Sequence, residues 1–357
     1  MKISDYIAPF ISILKDVMRT FNRRLQVTGG STLIVSLPKE WAEQFGLGKG
    51  DEVTIVPLPT GPVTMIPADA ALSEGVLELR ENATLDVAVR SLISLYLAGY
   101  SSIRIKLDGA APGILRGIKE TARRWLAGVE VVDERLDGIV LNVVQLHRDL
   151  PPRQVISRMG TIAAGMVQDS LSLLANPSRD EVQDLIDRDD EVDRFYHYMV
   201  RLTNLTIIDP RILQPLEVDE PQLLLGYTMV ARSVERVADH ATNIALLTLE
   251  RNLDVNSFGE FYNDCFACTT HFRRSVNSVL EPDAENSQKL IDDASEYLRE
   301  LEKLFVKTLE RKLPIGSQVA LRVLYDNVKR VVEYSTDIAE VALNFSYPRP
   351  RFVRGSP

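Results

Sequence analysis

The chain has 357 residues, 45% hydrophobic and 25% charged, the proportions of a soluble globular protein with room for two or three domains. No window nears the ~18 unbroken apolar residues that a membrane span needs, and two cysteines are too few for a disulfide framework and suit a reducing cytoplasm. The net charge of −9 is uneven: residues 1–150 hold 17 basic and 18 acidic side chains, residues 151–357 hold 24 and 32, so the second part is a poor grip for a phosphate backbone.

Residues 1–17 form an N-terminal extension whose apolar run is broken by Asp5, Pro9, Lys15 and Asp16 and lacks a cleavage site. Met18 follows closely, and no function is assigned to the extension. Residues 18–68 read as short strands around a helical turn. Leu25 and Val27 alternate with polar neighbours, Gly29-Gly30 breaks the chain, and Leu33-Ile34-Val35 resumes it. Pro38 opens a short helix ending near Gly46 or Gly48, and the strands "EVTIVPL" and "VTMIP" flank a Pro-Thr-Gly-Pro turn. A piece this small has little core and needs a partner chain to bury enough surface. Arg19, Arg23, Arg24 and Lys39 lie in an acid-free stretch, which makes them the candidate DNA contacts. The order strand, Leu-Pro, short helix, Gly-Leu-x-x-Gly-Asp, strand resembles the AbrB-type swapped-hairpin domain. That resemblance implies a β-barrel head made by two interleaved chains, hence a homodimer, with DNA or protein as partner. Ala42 and Glu43 stand where the DNA readers of that family carry arginines, which weakens the DNA reading and leaves dimerisation untouched.

Residues 76–150 alternate helices and strands, a small α/β unit compatible with a ferredoxin-like fold. Thr84 caps the helix that Gly99 closes, and Asp137-Gly138 turns one strand back into the next. Arg116, Lys119 and Arg123 share a helix face, as a solvated surface or an anion site. The Pro-Pro pair in "HRDLPPR", 147–153, marks a boundary.

From 154 to 345 the pattern is nearly all helix, broken by "ANPS", "IIDP", "LEPD" and "LPIGS" into runs of bundle length. At about 100° per residue, Arg232, Glu235, Asp239 and Asn243 form a stripe opposite Val230, Val234, Val237, Ala241 and Ile244. Arg330, Glu333 and Asp337 repeat it opposite Val328, Val332, Ala339 and Ala342, with Val341 where Asn243 stood. "LIDRDDEVD" and "LIDDASEYL" echo each other upstream, so residues 154–250 and 257–345 read as two copies of one three-helix unit. Their period is too long for the usual helical solenoids. Residues 346–357, basic and proline-rich, read as a disordered tail. Cys265 and Cys268, with His271 beside them, lack the second ligand pair of a zinc site and read as packed helix residues.

"ERVADHATNIA", "DRDDEVDRF" and "VEYSTDIAEVA" resemble the PhoU phosphate-uptake-regulator family, two three-helix bundles in pseudo-symmetry. With the AbrB-like head, the whole resembles archaeal-type PhoU regulators. The resemblance implies divalent or ferric metal ions, singly or clustered, on the carboxylate stripes. By matching positions it implies Glu235, Asp239, Glu333 and Asp337, with Asp189 and Asp193 on a looser motif. Ala294 and Leu298 replace the last two in the second copy, so its site is expected to be incomplete. Read from residues alone, each stripe is better explained as the wet face of an amphipathic helix, with Arg232 and Arg330 as i, i+3 partners.

The function implied is cytoplasmic regulation of phosphate uptake, with a phosphate ABC transporter ATPase or a phosphate-sensing kinase as partner and promoter DNA at the head. The alternative is an AbrB-type transcriptional regulator whose helical body is an effector domain for another ligand. A helical dimetal enzyme is disfavoured: no histidine has a glutamate three residues before it, and no Walker or Gly-x-Gly-x-x-Gly loop occurs.

Overall fold

The computed structural model describes residues 20–144, 150–249 and 255–353; Arg19 and the extension at 1–17 lie outside it. The chain divides into two compact units, Met1–Ile55 with Met65–Ala70, and Val56–Thr64 with Ala71–Pro357.

In the first unit, β1 (Gln26–Thr28) and β2 (Thr32–Ile34) form an antiparallel hairpin. Its turn needs Gly29 and Gly30, whose φ of 57° and 93° lie in the left-handed region that side chains resist. A six-residue helix, α1 (Lys39–Gln44), follows Pro38, and β3 (Val53–Pro57) pairs with β4 (Val63–Pro67) as a second two-stranded sheet. Every residue of β1 and β2 is exposed, Val27 at 65% and Leu33 at 60%. An isolated two-stranded hairpin is marginal in water, and this one leaves its apolar side chains exposed.

The second unit opens with the α/β layer β5 (Gly75–Arg80), α2 (Leu85–Ala98), β6 (Ser102–Asp108), α3 (Gly113–Trp125), β7 (Val129–Arg135) and β8 (Gly138–Val143). Thr84 accepts from the Val87 amide at 3.3 Å, and Gly99 closes α2 at φ 104°. The sheet order is β5-β6-β8-β7, with β5 parallel to β6 and the other pairs antiparallel. The α/β unit is thus as expected, but it is not ferredoxin-like. That fold runs β-α-β-β-α-β, whereas here α3 intervenes before a terminal hairpin. Ile103, Ile105, Ile139 and Leu141 alternate inward to one core under the helices.

Among the described residues, seven α-helices follow: α4 (Pro152–Leu173), α5 (Arg179–Ile208), α6 (Pro221–Leu247), α7 (Glu260–Cys265), α8 (Ala267–Leu280), α9 (Ala284–Leu309) and α10 (Ile315–Phe345). Their ends follow local chemistry. Proline starts α4 and α6, Ser178 caps α5 through the Glu181 amide, and Asp283 caps α9 through Asn286 at 2.7 Å. Helices α4, α5 and α6 pack together, as do α8, α9 and α10, and the α6–α10 and α4–α8 contacts fuse the two repeats into one core. Cys265 and Cys268 are free thiols buried in that core.

Helix α5 also holds the α/β layer. Arg201 donates to the Tyr96 carbonyl at 2.6 Å, Asn204 to the Leu97 carbonyl at 2.8 Å, and Trp125 donates to Asp190 at 2.8 Å. The Pro-Pro boundary therefore starts a helix without separating two independent bodies. Residues 346–353 also depart from the disordered tail expected there. Arg349 and Arg351 reach the buried carboxylate of Glu220 at 3.6 and 3.2 Å, and the Phe352 amide donates to the Thr60 carbonyl at 2.9 Å. A buried carboxylate draws cations from far along the chain because leaving it unpaired is costly.

Candidate metal centre

Helices α5 and α6 lie against each other, and their facing stripes bring Asp189 and Asp193 beside Glu235 and Asp239. The apolar residues behind the α6 stripe, Val230, Val234, Val237, Ala241 and Ile244, are wholly buried. Glu235 is not on a wet face; it is 8% exposed.

Placing four carboxylates in one half-buried groove disfavours their charged forms. Burial pushes Asp189 up to about 7, and the neighbouring Asp193 and Asp239 push the same way, while the Thr242 hydroxyl beside it opposes them. Burial and then Asp239 push Asp193 up to about 6, against the pull of Arg232 and Arg236. Burial and Asp239 push Glu235 up to about 7 against the same two arginines.

Those arginines are the local counterions. Arg232 donates to Glu235 at 2.9 Å and lies over the Tyr196 ring, and Arg236 donates to Asp239 at 2.9 Å and sits 3.6 Å from Glu235. Arg232 is the i, i+3 partner that its spacing suggests. Arg236 is a second counterion outside the sequence-predicted stripe, and its own i, i+3 spacing to Asp239 is the same signal. Two cations face four carboxylates, leaving two charges in excess if all four ionise. Asp189 Oδ1 and Glu235 Oε2 are buried with no hydrogen-bond partner.

The donor set is oxygen throughout, which suits a hard cation and not the nitrogen and sulfur sites preferred by zinc. Among the described residues, no group of three or more His, Cys, Asp or Glu side chains is already arranged to hold a metal ion. Asp189, Asp193, Glu235 and Asp239 are near enough to repel one another, and a cation would have to draw them together.

The second repeat differs. Glu333 is paired with Arg330 at 2.8 Å and Lys329 at 3.7 Å. Asp337 is exposed as a residue, but partial desolvation of its carboxyl, then Glu340 and Glu333, raises its pKa above the ordinary carboxylate value. On α9, Ala294 is buried and Leu298 packs against the core, where α5 has Asp189 and Asp193. Asp292 and Glu296 keep the carboxylate spacing but are exposed. The structure therefore brings together the four residues of the first repeat and leaves Glu333 and Asp337 without carboxylates at those α9 positions.

On the head, Arg23 and Arg24 are exposed, with the Arg23 guanidinium 5.6 Å from the Phe21 ring centre. Lys39 pairs with Glu43 at 3.3 Å, so the glutamate that weakens the DNA reading also neutralises one candidate contact.

Residues 156–248 match the family model of the PhoU domain, and residues 26–58 match that of "Antidote-toxin recognition MazE, bacterial antitoxin". The first match covers nearly all of α4 to α6, the helices around the four carboxylates; the second covers β1 to β3. No curated protein matches the chain. Among solved structures, the phosphate transport system regulatory protein PhoU from Streptococcus pneumoniae is similar over 54% of this chain and 91% of its own, with 14% identity and a TM-score of 0.42.

Proposed function

We propose that this chain, which carries a PhoU domain at residues 156–248 and a MazE-like segment at residues 26–58, is a cytoplasmic, non-enzymatic regulator of phosphate uptake. The observation that carries the reading is the coincidence of the PhoU match with α4–α6, the repeat that retains all four carboxylates. No helix among the described residues is long and apolar enough to cross a membrane, and the regulator acts on its target by contact.

In this reading Asp189, Asp193, Glu235 and Asp239 hold one or more divalent or ferric ions. When bound, the metal supplies positive charge that neutralises the groove and ties α5 to α6. Arg232 and Arg236 hold Glu235 and Asp239 in position and limit the negative charge of the free groove. Two chains pair through the exposed head hairpins, and the body of the dimer contacts a phosphate ABC transporter ATPase or a phosphate-sensing kinase.

A second reading draws on the MazE-like match and on exposed Arg23 and Arg24: an AbrB-type transcriptional regulator whose body responds to a different ligand. Affinity capture of the full chain from cells grown at high and at low phosphate separates the two. Transporter or kinase subunits recovered in a phosphate-dependent amount support the uptake regulator. Promoter DNA alone, unaffected by phosphate, supports the second reading and contradicts the first.

A further inference from the structure

Arg116, Lys119 and Arg123 share a face of α3 by spacing, yet the structure gives them different surroundings. Arg116 is paired with Glu120 at 3.0 Å and Lys119 with Glu134 at 2.6 Å. Arg123 makes no ion pair or hydrogen bond among the described residues, and it lines an open cleft of about 380 Å³ where the α3–β7 loop meets α4 and α5.

Two more arginines line the same cleft, Arg158 from α4 and Arg194 from α5. Both guanidiniums lie over the buried ring of Phe195, at 4.9 and 6.0 Å from its centre. They share one carboxylate, Glu191, at 2.6 and 4.0 Å. Among the described residues, Glu130 is the one acid in the lining, and it is exposed. Among the described residues, the three guanidinium forks in this concavity thus have one carboxylate partner, which Arg158 and Arg194 share. Leu126, Val129 and Leu150 make the remaining wall partly apolar.

We propose that this cleft binds a small phosphate monoester, its phosphoryl group held by Arg123, Arg158 and Arg194. Guanidinium forks match phosphoryl oxygens in bidentate geometry. A dianion, more than a carboxylate monoanion, can compete with Glu191 for two arginines while engaging the third. The volume exceeds what a bare ion fills, and the apolar wall accommodates the organic part. Inorganic phosphate shares the recognised chemistry. The site is distinct from the α5–α6 carboxylate groove and does not depend on metal there.

The test is calorimetric titration of the full-length protein with inorganic phosphate, with glucose 6-phosphate and with glucose. The phosphorylated probe should bind saturably and glucose should not. Arg123→Ala, which removes an unpaired exposed side chain, should weaken binding about tenfold. Arg116→Ala, outside the cleft, should leave it unchanged. Tighter binding of glucose 6-phosphate than of phosphate supports the monoester; equal or tighter binding of phosphate overturns it in favour of the free ion. Absence of saturable binding, or unaltered binding by Arg123→Ala, overturns the site itself.

Discussion

Asp189 has no ion-pair partner among the described residues, unlike Glu235 and Asp239, which each hold an arginine. Its carboxyl is pushed up to about 7, above the ordinary value near 4. A raised folded-state value contributes stability that is fully present below the unfolded value and is lost as pH rises through the folded one. In the presence of a chelator, the protein should therefore lose stability between about pH 4 and pH 7. Asp189→Asn removes the charge with little change of shape. It should stabilise the chelated protein at pH 8 by about 1–2 kcal/mol, with the gain gone by pH 4. Urea unfolding at the two pH values checks this; a loss of stability at pH 8 would show that the carboxylate is better accommodated than the groove implies. With metal present the same substitution should be destabilising, because a bound cation reverses the sign of the local charge balance.

At the level of elements, the two repeats meet where α4 crosses α8. A Cβ at Gly160 would stand 2.5 Å from Val276 Cγ1, so glycine is what lets these helices approach. Gly160→Ala should cost about 1–3 kcal/mol by overpacking, and Val276→Ala in the same chain should recover part of that loss. Thermal unfolding measures both; a neutral Gly160→Ala would mean that the helices can separate without penalty. The helices themselves were legible in the sequence because their signals are local. Apolar spacing near 3.6, the proline starts, and the Ser178 and Asp283 caps each act within a few residues. The loss of carboxylates at Ala294 and Leu298 was legible for the same reason. The order of the α/β sheet was not, because strand propensity does not choose a strand's neighbour. Nor was the docking of Arg351 on Glu220, 131 residues away, or which α3 arginine, Arg123, is left without a partner among the described residues. Such facts depend on which distant surfaces meet. The α5–α6 groove lay between the two cases: spacing placed each stripe, and packing decided that one would be half-buried and the other wet.

The whole molecule combines a head short of core with a body whose repeats are chemically unequal. Deleting residues 1–75 should leave a folded body that sediments as a monomer, since the exposed hairpin surface is then gone; a persistent dimer would place the contact in the α/β layer or the helices. If the head also grips DNA, Arg23→Ala with Arg24→Ala should abolish most binding while the dimer survives. The wild-type log–log salt slope should be about −4, from roughly four phosphate contacts per dimer. Absence of binding at low salt would leave the head a dimerisation module. The asymmetry of the body is the central claim, and metal stoichiometry tests it most directly. Elemental analysis of the purified full-length protein should find metal that is lost when Glu235→Ala and Asp239→Ala are combined and retained when Glu333→Ala and Asp337→Ala are combined. Metal-free wild-type protein under cytoplasm-like conditions, or metal that survives the first pair of substitutions, would contradict the account.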